Sequence, residues 1–155
     1  MSTTLELIQD FLAQNRIAFI GVSRDKNDFS RGLFRELCNQ GYDVVPVNPE
    51  APEIEGRFCF AQVQSIAPPV DGALLMTAPE LTDRIVRDCA EAGIKRIWLY
   101  RGLGTGAVSD SAVEFCRENG IKVVPGYCPY MFLPKTQLVH RAHGFVMKLA
   151  GNYPE

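Results

Sequence analysis

An α/β fold is predicted: a Rossmann-like, doubly wound, mainly parallel five-stranded sheet with flanking helices. Three observations predict it. Five apolar, β-favouring runs begin at Ile17, Asp43, Val70, Ile94 and Ile121, at intervals of 24 to 27 residues, which is room for a strand, a helix and two loops. Several of these runs are apolar almost without alternation, as strands covered on both faces are. Helical patterns fill most gaps, and Gly41, Gly93 and Gly120 each separate such a pattern from the next strand, where a left-handed residue ends a helix. Alternating strands and helices imply a parallel sheet with right-handed crossovers.

Taken in order, Leu5, Ile8, Phe11 and Leu12 predict an amphipathic helix over residues 4–15, and Thr3 with Glu6 forms a capping box at its start. The first strand follows over 17–22. A helical pattern over 32–40, starting near Ser30, leads to the second strand at 43–47. The next gap holds a loop and a short element near 62–67. The third strand spans 70–76, and Pro79 suits the first turn of a helix over 79–92. The fourth strand, 94–100, precedes a helix over 110–119. Ser111 and Glu114 have capping-box spacing there, with Ser109 or Asp110 as alternative caps. The fifth strand is 121–125. Residues 126–134 form an aromatic, proline-rich loop, and Leu138, Ala142, Phe145 and Leu149 share one face of a final helix over 135–151. No low-complexity linker interrupts the chain, so residues 1–155 are expected to form one domain.

Composition narrows the function classes. The chain has 155 residues, a hydrophobic fraction of 46% and a charged fraction of 22%, which argue for a globular core and against disorder. Sixteen Lys and Arg against eighteen Asp and Glu leave a net charge of −2. A nonspecific nucleic-acid binder is usually basic, so no nucleic-acid partner is expected. No apolar run is long enough to span a bilayer, and residues 1–6 carry no basic n-region, so neither a membrane nor a signal peptide is expected. Five widely spaced cysteines without a Cys-x-x-Cys pair point to a reducing compartment, hence the cytoplasm.

In an open parallel sheet, ligands bind beyond the carboxyl ends of the strands. The residues there are therefore the candidate site. After the first strand, Gly21 permits a tight turn, Ser23 and Ser30 offer hydroxyls, and Arg24, Lys26, Arg31 and Arg35 lie within twelve positions. With the N-terminus of the following helix, this group suits a phosphate or diphosphate. The competing reading is that Ser30 or Asp28 only caps that helix and the basic side chains are solvated. The loop lacks Gly-x-Gly-x-x-Gly, and the second strand ends in Val47-Asn48-Pro49 where an NAD site prefers an acid. An NAD(P)-linked oxidoreductase is thus the less favoured alternative.

Several stretches resemble one family. Ile20-Gly21-Val22-Ser23, Gly41-Tyr42-Asp43-Val44-Val45-Pro46-Val47-Asn48-Pro49, Ile54-Glu55-Gly56, Val70-Asp71 and Gly93 to Leu99 look like the stand-alone CoA-binding domain proteins. These are similar to the N-terminal domain of the succinyl-CoA synthetase alpha subunit. The resemblance covers residues 16–128 and implies a site for coenzyme A or an acyl-CoA. By position it implies that Gly21, Val22, Ser23, Arg24 and Lys26, with Ser30 and Arg31, form the phosphate loop. Val47, Asn48 and Pro49 match the turn along the nucleotide, and Thr77, Ala78 and Pro79 a segment against which the ligand packs. Tyr100, Arg101 and Gly102 match the segment that reaches the pantetheine side. The chain departs from the family there, since members often carry a glutamine or an acid where it has Tyr100-Arg101.

The synthetases use a phosphorylated histidine, whereas the two histidines here, His140 and His143, lie outside the resembling region. A binding protein without catalytic residues is therefore expected, acting as a carrier, sensor or regulatory module. Cys128 is either a reactive thiol that meets the CoA sulfur, in a Cys-dependent CoA-transfer enzyme, or a small buried hydrophobe. Cys128, His140 and His143 match no trusted zinc spacing, so no metal is expected. The aromatic run Tyr127, Tyr130, Met131, Phe132 is either a homodimer contact or a loop wrapped over its own domain.

Overall fold

A computed structural model describes residues 2–134. The predicted helix 135–151, with His140 and His143, lies outside the described residues.

The five predicted strands form one all-parallel sheet. They are β1 (Arg16–Ile20), β2 (Asp43–Val47), β5 (Gly72–Leu75), β6 (Arg96–Leu99) and β7 (Lys122–Pro125), in the order β2-β1-β5-β6-β7. Helices α1 (Thr4–Leu12) and α2 (Phe29–Asn39) lie on one side, α3 (Pro79–Glu91) and α4 (Asp110–Glu118) on the other. The alternation along β1 divides the core. Ile17 and Phe19 face Ile8, Phe11, Leu33, Phe34 and Trp98, whereas Ala18 and Ile20 face Ile85, Val86, Cys89, Val113 and Cys116. Both layers are dry, which is why the strands read as continuous apolar runs. Trp98 is wholly buried, and its indole N–H donates to the carbonyl oxygens of Gly126 and Tyr127, so no polar atom of the ring is left unsatisfied.

Element ends follow local capping. The Thr3–Glu6 capping box forms as expected. Helix α1 stops at Leu12, short of residue 15, because Asn15 must already accept a hydrogen bond from Asp43 at the sheet edge. Helix α2 starts at Phe29, because Asp28 takes the N-cap and accepts from the Ser30 amide. Ser109, rather than Ser111, caps α4; Ser111 instead donates to Asp83 on α3. Gly41, Gly93 and Gly120 all take positive φ after their helices.

One element was not expected: a two-stranded hairpin, β3 (Glu53–Ile54) and β4 (Arg57–Phe58), turning at Glu55 (φ 50°) and Gly56 (φ 76°). Two-residue strands are too short to show an alternation. The chain then returns through Phe60, which bridges to Val47 on the outer edge of β2. The short element near 62–67 is a 3-10 turn, Val63–Ser65.

The aromatic run after β7 packs on its own domain. Cys128, Tyr130 and Leu133 are buried with the α1–α2 core, and Tyr127 and Phe132 pack against it. Among the described residues no helix is long and apolar enough to cross a membrane.

Candidate functional site

The chain runs from β1 outward to β2, then back past β1 to β5, β6 and β7. Loops leaving β1 and β5 therefore diverge, and a cleft opens between them, as expected at a topological switch point. It has a volume of about 850 Å³, within the range of small-molecule sites. Residues Gly21 to Asp25 after β1 form one wall, Asn48 to Glu50 after β2 a second, Ala61 to Gln64 a third, and α3 the fourth.

Gly21 sits at the floor, at φ 94°. A Cβ on it would lie 2.5 Å from the Met76 carbonyl oxygen, so only glycine lets the ends of β1 and β5 approach this closely. Beyond it the loop is tied down at successive residues. The Ser30 hydroxyl accepts from the Ser23 amide at 2.9 Å and donates to Asp28 at 2.6 Å. The Ser23 hydroxyl accepts from the Asp25 amide at 3.0 Å. Among the described residues, the amides of Val22 and Arg24 have no hydrogen-bond partner. Asn48 joins the first two walls: its side-chain amide donates to the Val22 carbonyl at 2.9 Å, and its side-chain oxygen accepts from Glu50 at 2.8 Å. On the opposite side the Thr77 hydroxyl is 3.0 Å from that of the buried Thr82, which donates to the Ala107 carbonyl.

Eight of the sixteen expected site residues line this cleft: Gly21, Val22, Ser23, Arg24, Val47, Asn48, Pro49 and Thr77. The other eight do not. Ser30 is buried beneath the loop as its support, and Asp28 accepts from the Ser30 amide and hydroxyl at the N-terminus of α2. The four basic residues of the loop and helix do not converge. Arg31 is buried and turned to Glu55, Arg35 also reaches Glu55, and Lys26 is exposed outside the cleft. Ala78 is the N-cap residue and Pro79 the first residue of α3, and neither lines the cavity. Tyr100, Arg101 and Gly102 follow β6, one strand beyond β5, and lie outside the lining.

The structure adds residues that the sequence reading missed. Arg84 projects from α3 into the cleft and forms no ion pair among the described residues. Leu81, Arg84, Ile85 and Asp88 share one helical face at the spacing i, i+3, i+4, i+7. That spacing is visible in the sequence, but its apolar members read as core. Gln62 and Gln64 complete the opposite wall, and the buried Gln64 side-chain oxygen has no hydrogen-bond partner among the described residues.

The cleft is not positive overall. Arg24 and Arg84 face Asp25, Glu50 and Asp88. Arg24 lies 3.6 Å from Glu50, in a pair exposed on both sides and therefore weak. An anion here would be held by amides and by two separate guanidinium groups, not by bulk charge. Cys128 lies elsewhere, buried on the α1–α2 side, where desolvation pushes its thiol up to about 11 against weaker lowering by hydrogen bonds from Tyr130 and Tyr100. It is a protonated core side chain at neutral pH, not an exposed thiolate. No cysteine or histidine lines the cleft among the described residues.

Comparison with known proteins completes the picture. The model of a CoA binding domain family matches residues 15–134. The chain is 25% identical over 113 residues to the uncharacterized protein YneT of Bacillus subtilis, covering 73% of this chain and 81% of that one. It is 25% identical over 130 residues to the alpha subunit of the ADP-forming acetate–CoA ligase II of Pyrococcus furiosus. That match covers 79% of this chain but only 28% of the ligase subunit. Among solved structures, a hypothetical protein from Pyrococcus horikoshii superposes with a TM-score of 0.75 at 27% identity, over 83% of this chain and 87% of that one.

Proposed function

The chain belongs to the CoA-binding domain family, and from that premise we propose that it holds coenzyme A or an acyl-CoA in the cleft between β1 and α3, as a carrier, sensor or regulatory module without turnover of its own. The observation that carries this reading is the loop from Gly21 to Asp25, in which the Val22 and Arg24 amides are left without partners at the mouth of the cleft. Two such donors, on either side of the Ser23 amide that Ser30 engages, together with the Arg24 side chain, suit a diphosphate. Arg84, across the cleft, suits a second phosphate, and CoA carries both a diphosphate and a ribose phosphate. The apolar stretch of the wall, from Pro49 through Val63 to Leu81 and Ile85, suits the adenine ring and the methylenes of the pantetheine arm.

A ligand phosphate would compete with Glu50 for Arg24. Because that ion pair is exposed, displacing it costs little, about 1 kcal/mol or less. Calorimetric titration with CoA tests the proposal. Arg24→Ala and Arg84→Ala should each weaken binding about tenfold, the loss of one charge-assisted contact, and Glu50→Gln should strengthen it. Absence of binding at millimolar CoA, or preferential binding of NADPH, would overturn the proposal.

A further inference from the structure

We infer that Arg31, buried behind the cleft loop, is a positioning residue: with Glu55 it forms a brace that holds residues 23–25 in the shape needed to receive an anion. This inference deepens the reading given under Proposed function and rests on it for the ligand.

The brace is built from a buried charge with four hydrogen bonds. Arg31 is 5% exposed. Its Nε donates to the Glu55 carboxylate at 3.1 Å, and its Nη2 donates to the same oxygen. Its Nη1 donates to the carbonyl oxygens of Ser23 at 3.3 Å and Arg24 at 3.2 Å. A guanidinium has fixed, planar donors, so it fixes the direction of every group it binds. A peptide unit is planar and trans, so its C=O and the next N–H point to opposite sides. Drawing the Ser23 carbonyl toward Arg31 turns the Arg24 amide away from Arg31. That amide is one of the two without a partner, on a residue that lines the cleft. Drawing the Arg24 carbonyl the same way turns the Asp25 amide toward the Ser23 hydroxyl that accepts from it.

The other end of the brace is anchored. Glu55 stands at the turn of the β3–β4 hairpin, in a left-handed conformation that the hairpin imposes. The hairpin is tied to the sheet where Phe60 donates to Pro46 and accepts from Asn48. The path therefore runs from the edge of β2, through the hairpin and Glu55, to Arg31 and the loop. Arg35, on the next turn of α2, reaches the same carboxylate oxygen at 3.4 Å from a more exposed position. This gives the unexpected hairpin a role: it lines none of the cleft, yet it sets the geometry of one wall.

The test uses the whole chain with Arg31→Lys and Glu55→Gln, since Arg31→Ala leaves two carbonyls unpaired and Glu55 with only its longer contact to Arg35, and so endangers folding. The first reading is amide hydrogen exchange of the unliganded proteins. Both variants should speed exchange of the hydrogen-bonded Ser23 and Asp25 amides about tenfold, the loss of one charge-assisted contact, while β5 and β6 keep their protection. The second reading is CoA titration, in which both variants should bind about tenfold more weakly although neither residue lines the cleft. Unchanged exchange at the Ser23 and Asp25 amides overturns the brace. So does a rise shared equally by β5 and β6, which would mean general destabilisation, or faster loop exchange with unaltered CoA affinity. If the unmodified protein fails to bind CoA at all, the ligand reading falls, while the exchange data still decide whether the brace exists.

Discussion

Two glycine-containing loops leave the same edge of the sheet, and they are built on opposite plans. The loop after β1, residues 21–28, is held over residues 21–24 by partners outside the loop. Gly21 donates to Val47, Val22 accepts from Asn48, Ser23 donates to Ser30, and Ser23 and Arg24 both accept from Arg31. The loop after β6, residues 101–106, is anchored at its base, where Arg101 donates to Tyr127 and Ala107 to Tyr100. Between those points its described hydrogen bonds are short-range, from Arg101 Nε to Gly104 and from Val108 to Thr105, and Leu103 at its tip is 95% exposed. Of the two loops, only the first has carbonyls tied back to a side chain outside it, which is what a preorganised anion loop would need.

The largest effect should come from alanine in place of the glycine that closes the first loop. At Gly21 an added methyl meets both an unfavourable φ and a backbone oxygen at 2.5 Å. At Gly104 the φ of 82° is equally unfavourable but nothing lies within 4 Å. Urea unfolding should therefore show a loss of about 3 kcal/mol or more for Gly21→Ala against about 1 kcal/mol for Gly104→Ala. Equal losses would break the contrast between the loops.

Next comes Asn48→Ala, which removes one hydrogen bond that joins the β1 and β2 walls and one that shapes the turn after β2, at a cost of about 2 kcal/mol in the same assay. CoA affinity should fall with it. A smaller, pH-dependent effect belongs to Glu55. The hydrogen bond from Arg31 holds its carboxyl below the ordinary glutamate range, in spite of partial burial that acts the other way. A carboxylate whose pKa is lower folded than unfolded stabilises fully above the unfolded value of about 4.3 and loses that contribution as pH falls through the folded value. Acid unfolding of the unmodified protein below about pH 4 should accordingly be steeper than that of Glu55→Gln. Identical acid slopes would deny the carboxylate its role. The smallest effect is expected at Leu103→Ser, within about 0.5 kcal/mol in urea, because the side chain is almost wholly in water.

Much of this architecture was legible beforehand. The five strands, three of their connecting helices and the glycine stops follow from local signals, and each lies where its pattern placed it to within a few residues. The hairpin at 53–58 was not legible, because two-residue strands carry no period and its pairing is fixed by the sheet edge beside it. The candidate site was half legible. Residues adjoining strand ends, such as Gly21, Asn48 and Thr77, were placed in the cleft by the rule that ligands gather there. Tyr100 to Gly102 satisfied the same rule but follow a strand further from the switch point.

The order of strands and helices was therefore written in the chain itself, because hydrophobic period, caps and turn glycines act over a few residues. Which arginine does what was settled only by folding. Arg31 turns inward because Glu55, twenty-four positions away, meets it there, and Arg84 faces the cleft because α3 packs its other side on the sheet. A charged side chain points toward the partner that best offsets its lost hydration, and that partner is brought near by tertiary contacts that no local pattern encodes.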